Sequence, residues 1–483
     1  MSDNTFSQVL TGVMLFMVSL TTFAQEKIDI ATVRQTGLWM VEIKTLNNEE
    51  PQGQPITHPV NPEVHNYIYT NKVPCRIIIT AVNDTLYDSG EYEKNVSGAT
   101  IRINGNTTAY YSDELNMPYK LKLQKAADLL CRDDDRFKDK DWRLLKDAMS
   151  LNTIVALKLS QIIGMEWTAQ CVPCNVVING DYRGCYLLIE TVKRNNDCRI
   201  ACDKQQGYIV ERDPYWWKEE VYFCTHWYEK ANTYRWTWKY PEDEDVTDEK
   251  TSYIRDYINA AEQSIINGNY EAFIDPLSFA KWLLTHDILG TWDSGGSNMF
   301  FKKYDETSNS RLEMPCVWDF DSSYEMGTGN FSRLHTSSNA YFSTLLNSDN
   351  RTFANTYVWL WNEYKDVVKE EIIGFINQFA LSDEAKALNT SRKLHSQRWK
   401  WNDMDVNADI QKVTEWFLTH LDIIDEKINL IPTDDLSSID NRQHQAVAET
   451  SACSDLKGIR RYSSPRGISI INGKKIFRLP SWH

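Results

Sequence analysis

Short hydrophobic runs separated by polar, turn-forming stretches dominate the first part of the chain. Runs rich in β-branched residues occur at residues 37–46 and 75–82, which is typical of β-strands. At residues 117–124 hydrophobic and polar positions alternate, and this places Lys120 and Lys122 on the same face of a strand. The N-terminal part is therefore predicted to be rich in strands.

The middle of the chain combines a helical pattern with a hairpin pattern. Hydrophobic residues spaced three and four apart at residues 141–165 predict one or two helices. Asn179 and Gly180 separate two hydrophobic runs, and they favour a tight hairpin turn because both residues accept a positive φ at low cost. The aromatic block at residues 215–241 alternates loosely. It is interpreted as strands that pack aromatic side chains into the core, with a carbohydrate-binding aromatic surface as the alternative.

The second half of the chain returns to the periodicity of amphipathic helices. Residues 252–266, 275–290 and 352–430 show this pattern. Between the second and third of these segments, two strand-like runs at residues 299–304 and 311–320 flank a polar turn and predict a second hairpin. The whole pattern indicates an α+β fold, with a strand-rich N-terminal part and a helix-rich C-terminal part.

The net charge of the chain limits which partners it can bind, and its N-terminal sequence indicates where in or outside the cell it is located. The chain has 483 residues and a net charge of −15, which argues against nucleic acid or an anionic membrane as the main partner. Residues 9–20 are apolar and precede a cleavage site after Ala24, so residues 1–24 are predicted to be a signal peptide. The alternative is a disordered or buried N-terminal segment. No later stretch is apolar for long enough to cross a bilayer, so a secreted, periplasmic or cell-surface protein without stable membrane insertion is predicted.

The ten cysteines are too few for a disulfide scaffold in a chain of this length. Cys171 and Cys174 form a lone C-x-x-C motif without a second pair or nearby histidines. Buried thiols or one structural disulfide are therefore favoured over a zinc or redox site.

The chain is predicted to divide after the helical region. Residues 25–431 would form the main domain, and a polar linker begins at Pro432. A short basic module with the sequence GISIINGKKIF follows, and it resembles the sorting or β-sandwich tails of exported bacterial proteins. Residues 432–483 are therefore predicted to be a linker and a small β-type C-terminal module.

A loop with phosphoryl-transfer chemistry is predicted after the helix at residues 276–290. Asp293 and Asn298 lie five positions apart in this loop, and Asp319 and Asp321 follow the predicted second hairpin. Transfer of a phosphoryl group needs a carboxylate that orients the acceptor hydroxyl, and oxygen ligands that hold Mg²⁺ on the phosphates. An aspartate, an asparagine five residues later, a hairpin and a further aspartate supply these groups in the order that protein kinases use. The alternative for Asp293 is a structural role in a glycine-rich turn.

The sequence resembles the CotH family, whose members are atypical kinases with a remote protein-kinase-like fold. The matching stretches include IRINGNTTA, MPYKLKLQKAADLL, VVINGDYRGCYLLIETVKR, FAKWLLTHDILGTWDSGGSNMFFKKY and MPCVWDFDSSYEMG. They occur in the family's order over about residues 35–330, and the helices to about residue 430 complete the domain. The resemblance implies a kinase that transfers the γ-phosphate of ATP, with Mg²⁺, to Ser or Thr hydroxyls of a protein substrate.

The resemblance also implies roles for individual residues. Asp293 matches the catalytic-loop aspartate, as a base or a metal ligand, and Asn298 and Asp319 match metal ligands, a role that Asp321 could share. The nucleotide contacts that it implies are Arg102, Asn106, Lys120, Lys122 and Glu190.

Several of these positions have a plain structural alternative. Lys120 or Lys122 could belong to a solvated strand face, and the sequence does not decide which of the two meets the phosphates. Glu190 could pair with Lys193 or Arg194 at the surface.

Two departures from the family pattern keep other functions open. The family's RGN(S/T) motif appears here as INGNTT, without the arginine before the glycine. No glutamate lies between Arg143 and Gly164 to pair with the strand lysine, and Asp147 is a shorter side chain. One alternative is a non-catalytic surface protein that keeps the scaffold to bind a partner or glycan. Another is phosphoryl or nucleotidyl transfer to a non-protein acceptor.

Overall fold

The computed structural model describes most of the predicted main domain and two strands near the C-terminus. The described residues are 27–82, 84–110, 115–227, 234–291, 294, 298–324, 340–400, 405–434, 467–471 and 474–478. The predicted signal peptide, residues 1–24, and Asp293 lie outside the described residues.

The described chain is strand-rich first and helix-rich afterwards, which confirms the predicted α+β class. In chain order the strands are β1 (Trp39–Thr45), β2 (Gln54–Thr57), β3 (His65–Ile68), β4 (Val73–Ala81), β5 (Asp84–Asp88), β6 (Ala99–Ile103), β7 (Tyr119–Ala127), β8 (Asp139–Leu145), β9 (Cys171–Ile178), β10 (Asp181–Glu190), β11 (Tyr208–Asp213), β12 (Tyr222–Phe223), β13 (Arg235–Tyr240), β14 (Met299–Lys303), β15 (Leu312–Glu313), β16 (Gly467–Ile471) and β17 (Lys474–Arg478). The helices are α1 (Ile30–Arg34), α2 (Thr107–Tyr110), α3 (Asn152–Ile163), α4 (Asp248–Asn267), α5 (Pro276–Leu289), α6 (Ala340–Asn347), α7 (Thr352–Ala380), α8 (Asp383–Trp399) and α9 (Val406–Ile428).

Seven strands of the N-terminal part close into a barrel. Their hydrogen-bonded order is β1-β9-β10-β8-β7-β6-β4, and β1 also pairs with β4, which completes the ring. β1 and β9 run parallel. Val41, Ile77, Leu121 and Trp142 are among the buried side chains that fill the interior. Because successive side chains of a strand alternate between its faces, Lys120 and Lys122, on either side of the interior residue Leu121, point to the outside of the barrel.

The turn between β9 and β10 confirms the first predicted hairpin. Asn179 and Gly180 both adopt positive φ, at 53° and 76°. Ile178 lies opposite Asp181, so the loop has only two residues, as this dipeptide favours.

The aromatic block contributes to a second sheet with the order β12-β13-β11-β14-β15. Trp236 is fully buried, and its ring lies 6.2 Å from that of Phe223 and 5.1 Å from that of Phe301. Trp216 and Trp238 are buried as well. The interpretation of this block as core-packing strands is confirmed.

Helix α5 runs through the core and ends where the predicted catalytic loop begins. Asp275 caps its N-terminus by accepting a hydrogen bond from the backbone N–H of Ser278 at 3.1 Å. At its C-terminus, Gly290 adopts a left-handed conformation. The hydroxyl of Tyr357 in α7 donates to Asp287 at 2.6 Å, which fixes the last turn of α5 against the neighbouring helix.

The prediction of helices over residues 141–165 is wrong in its first part. Asp141 and the residues up to Leu145 belong to β8, and α3 begins only at Asn152. The apolar positions of this segment fit a helical spacing, but Trp142 and Leu144 are also two residues apart and both point into the barrel. Pairing of β8 with β7 and β10 selects the strand.

The second predicted hairpin is present but shorter than predicted. β14 pairs with β15 through Lys302 opposite Glu313 and Lys303 opposite Leu312. β15 has only two residues, so the chain reaches Asp319 through a stretch without regular secondary structure.

Cys171 and Cys174 lie on opposite faces of β9. Cys174 belongs to the barrel interior, whereas Cys171 packs with the core formed by the helices. The nine cysteines among the described residues are free thiols.

No helix in the described part of the chain is both long and apolar enough to span a membrane. Near the C-terminus, β16 and β17 form an antiparallel hairpin.

Candidate active site

A cleft of about 1230 Å³ separates the outer face of the barrel from the second sheet. Strands β6, β7 and β8 form one wall, and residues from β11, β13, the start of β14 and the chain after β15 form the other. Of the predicted site residues within the described chain, those that line the cleft are Arg102, Asn106, Lys120, Lys122, Asn298, Asp319 and Asp321.

The barrel wall of the cleft is cationic. Arg102 on β6 lies opposite Lys120 on β7, and Lys120 lies opposite Arg143 on β8, so the three side chains form a row across adjacent strands. Lys122 also lines the cleft, while Leu121 points into the barrel. This confirms that the two lysines share one strand face, and the row provides several donors for an anionic ligand.

Lys120 has an ion-pair partner on the neighbouring strand. Its ammonium lies 3.4 Å from Asp141 Oδ1. Burial lowers the pKa of Lys120 to about 8, although Asp141 opposes this effect. Burial alone would raise the pKa of Asp141, but Lys120 and Lys193 outweigh it and hold this pKa below the ordinary value. The carboxylate that the sequence seemed to lack after β8 therefore comes from β8 itself.

Asp147 is not the ion-pair partner of Lys120. It is desolvated, which raises its pKa, and its Oδ2 accepts a hydrogen bond from the hydroxyl of Thr153 at 2.8 Å. It therefore anchors the first turn of α3 at the edge of the cleft.

Arg143 is a cleft residue that the sequence did not single out. Its guanidinium lies 5.3 Å from the ring centroid of Trp318, the residue before Asp319. Its Nε is buried and has no hydrogen-bond acceptor among the described residues. A buried guanidinium N–H normally has an acceptor, so this atom is suited to a ligand oxygen. The alternation in DWRLL would have indicated Arg143 if the segment had been interpreted as a strand.

Asn298 and Asp319 meet on the opposite side of the cleft. Asn298 Nδ2 donates to Asp319 Oδ2 at 3.0 Å, although 21 positions separate the two residues. Both residues adopt positive φ, at 57° and 68°. Non-glycine residues in this conformation store strain and are enriched at functional sites.

The chain after Asp319 is held by the start of α3. Asn152 Nδ2 donates to the backbone carbonyls of Asp321 at 3.2 Å and Ser323 at 3.1 Å. The side chain of Asp321 is exposed at the cleft. The start of α3, which follows barrel strand β8, thus holds the chain segment that contains Asp321.

Glu190 is a buried ion-pair partner rather than a cleft residue. Its Oε1 lies 2.9 Å from Arg132 Nη1, and its Oε2 accepts from the backbone N–H of Gln170 at 3.0 Å. The side chain is 1% exposed, and Lys193 pairs instead with Asp139 and Asp141. Both the nucleotide contact and the surface ion pair suggested for Glu190 are therefore replaced by an internal pair.

The side-chain oxygens of the predicted metal-site residues are of the type that binds a hard divalent cation. One of these residues, Asp293, lies outside the described chain. An amide and two carboxylates are the ligand types that Mg²⁺ prefers, and Asn298, Asp319 and Asp321 present them at one wall. Within the described residues, no group of three or more His, Cys, Asp or Glu side chains is arranged to hold a metal ion. Asp293, the fourth predicted member, is not among those residues.

The fold and cleft together define an α+β protein in which a cationic strand face lies opposite amide and carboxylate oxygens. The model of the CotH kinase protein family matches residues 101–423, about two thirds of the chain. The chain therefore belongs to the CotH kinase family. No curated protein matches the sequence significantly.

Proposed function

We propose that this protein is an ATP-dependent kinase that phosphorylates Ser or Thr hydroxyls of a protein substrate. The observation that carries the proposal is the cationic row of Arg102, Lys120 and Arg143 facing the Asn298–Asp319 pair across one cleft. A nucleoside triphosphate needs both features, because its phosphates require cations and its bound Mg²⁺ requires oxygen ligands.

The proposed roles divide between the two walls. Lys120, oriented by Asp141, contacts the phosphates, and Lys122 and Arg102 add positive charge beside it. On the other wall, Asn298, Asp319 and Asp321 would hold Mg²⁺, which would supply positive charge next to the phosphates. Asp293 accepts the proton of the attacking hydroxyl as the new oxygen–phosphorus bond forms and ADP departs.

A kinase-like fold is part of this proposal. The barrel and the second sheet border one cleft, and the segment between β10 and β11 joins the two. The order of strand lysine, loop asparagine, hairpin and aspartate along the chain supports the comparison with protein kinases.

The test is Mg²⁺-dependent ATP binding and phosphotransfer by the purified protein. Asp319→Asn and Asp293→Asn are expected to reduce transfer at least about a hundredfold while leaving the protein folded. Asp383→Asn is the matched control, because Asp383 is 98% exposed on α8 and does not line the cleft. A parent protein that binds no nucleotide would contradict the proposal. Binding without transfer to any protein would favour the non-catalytic alternative.

We also propose that the protein acts outside the cytoplasm. The support is the apolar segment at residues 9–20 and the small residues before Gln25. Sequencing the N-terminus of protein recovered from cell fractions tests this proposal. A chain that begins at Gln25 in the exported fraction is expected, and an intact Met1 in the cytoplasmic fraction would contradict it.

A further inference from the structure

Lys218 joins three parts of the molecule at one end of the cleft. It lies at the end of the 3-10 turn Trp216–Lys218, between β11 and β12 of the second sheet. Its Nζ donates to Asn66 Oδ1 at 2.9 Å and to Asn106 Oδ1 at 2.7 Å. Asn66 belongs to the β2–β3 hairpin, and Asn106 follows β6 of the barrel. One ammonium group therefore bridges the second sheet, the hairpin and the barrel.

The surroundings of Lys218 are aromatic. Its Nζ lies 5.1 Å from the ring centroid of Tyr215 and 5.8 Å from those of Tyr69 and Trp217. Burial lowers its pKa to about 8, an effect that Asp213 and Glu219 oppose. The cation–π contacts and the two amide acceptors together fix the position of the Lys218 ammonium group.

The bond to Lys218 orients the amide of Asn106. Because Oδ1 accepts from the ammonium, the Nδ2 hydrogens of Asn106 are directed elsewhere as donors. Asn106 lines the cleft beside Arg102. Arg102 is tied to the same region, since its Nη1 donates to the backbone carbonyl of Tyr69 at 2.8 Å. Hydrogen bonds from Lys218 and Arg102 thus connect the β2–β3 hairpin and the residue that follows it, Tyr69, to β6 and the loop after it.

We propose that Lys218 is a positioning residue for the nucleotide. It holds the loop after β6 and the β2–β3 hairpin against the second sheet, and it presents the Asn106 amide donor to the phosphates. This inference rests on the proposed function, because the nucleotide is the ligand that the proposed kinase would bind. The three-way connection itself is a separate property that can be tested without any nucleotide.

The first test measures the affinity for Mg·ADP by isothermal titration calorimetry. Lys218→Met removes the ammonium at similar length and is expected to weaken binding about tenfold, and Lys218→Arg is expected to recover part of the loss. In an Asn106→Ala background the same substitution should cost only about twofold, because the two residues act through one contact. Lys386→Met, an exposed lysine on α8, is the matched control and should bind like the parent. Unchanged affinity in Lys218→Met would overturn the inference while leaving the proposed function intact.

The second test is hydrogen–deuterium exchange of the nucleotide-free protein. Lys218→Met should increase exchange in β2, β3 and the loop at residues 104–106 by at least about tenfold, with exchange in α5 unchanged. If the parent binds no nucleotide, this measurement still decides whether Lys218 holds the loop. Equal exchange in parent and variant would overturn the inference, whatever the outcome of the binding test.

Discussion

The charge state of the cleft depends on lysines whose pKa values lie close to neutral pH. Burial lowers the pKa of Lys120 to about 8, and Arg143 and Arg102 on the adjacent strands act in the same direction as burial, against Asp141. Lys218 has a pKa of about 8 for the same principal reason. Both side chains are therefore mostly protonated at pH 7 and mostly neutral at pH 9.

Nucleotide affinity should consequently fall as the pH rises through 8. A lowered lysine pKa means that the positive charge is present below about pH 8 and is lost above it, so Mg·ADP binding is expected to weaken about tenfold or more between pH 7 and pH 9. Calorimetric titrations at several pH values check this. The double variant Lys120→Arg/Lys218→Arg should show a much flatter profile, since arginine stays charged, and an unchanged profile would contradict the assignment.

The Glu190–Arg132 pair belongs to stability rather than to catalysis. Both side chains are almost fully buried, and Arg132 also pairs with Asp128 at 2.8 Å. Glu190→Ala leaves a buried guanidinium with only part of its compensation, so the free energy of unfolding should fall by about 3 kcal/mol. Urea denaturation measures this loss. The folded variant should retain the parent's affinity for Mg·ADP, and a selective loss of binding would instead place Glu190 in the nucleotide site.

At the scale of elements, the sequence predicted each strand or helix where local pattern and tertiary pairing agree. Lys120 and Lys122 were correctly placed on one face because hydrophobic and polar residues alternate strictly over the first six residues of β7. Asp141 and Arg143 were missed because β8 is a strand only through its two neighbours, and its apolar spacing also suits a helix. The contact between Asn298 and Asp319 spans a hairpin and depends on two strained backbones, which no local pattern encodes.

The packing of α8 on β10 gives a prediction at the same scale. Gly184 has φ of 124°, and a β-carbon there would lie 2.4 Å from Nδ1 of His395 in α8. Gly184→Ala should therefore lower the free energy of unfolding by at least about 2 kcal/mol. Gly374→Ala, in α7, should raise it by about 0.5–1 kcal/mol, because among the described residues no atom outside the adjacent helix backbone lies within 4 Å of the added carbon. Equal effects of the two substitutions in chemical denaturation would contradict this packing.

At the scale of the whole molecule, the last helices close back on the barrel. His395 accepts from the backbone N–H of Cys185 at 3.0 Å, and Trp399 Nε1 donates to the carbonyl of Arg183 at 3.0 Å. The barrel and the helical part therefore share an interface between residues that lie more than 200 positions apart in the chain.

This interface predicts that the two bodies unfold together. Differential scanning calorimetry of the purified protein should show one transition, with calorimetric and van't Hoff enthalpies that agree. Two resolved transitions would show that the barrel and the helices are independent units. A variant with Trp399→Ala should shift the single transition to lower temperature without splitting it.

The parallel pairing of β1 with β9 has a consequence for the order in which the chain acquires structure. Trp39 lies opposite Cys174, so the barrel cannot close until the whole intervening chain has left the ribosome or a translocation pore. Until then β1 has β4 on one edge only, and its other edge exposes unpaired backbone groups. Closure over so long a loop makes folding slow compared with local hairpin formation. β1 thus keeps one open edge, at which it could pair with a wrong strand, until β9 is available.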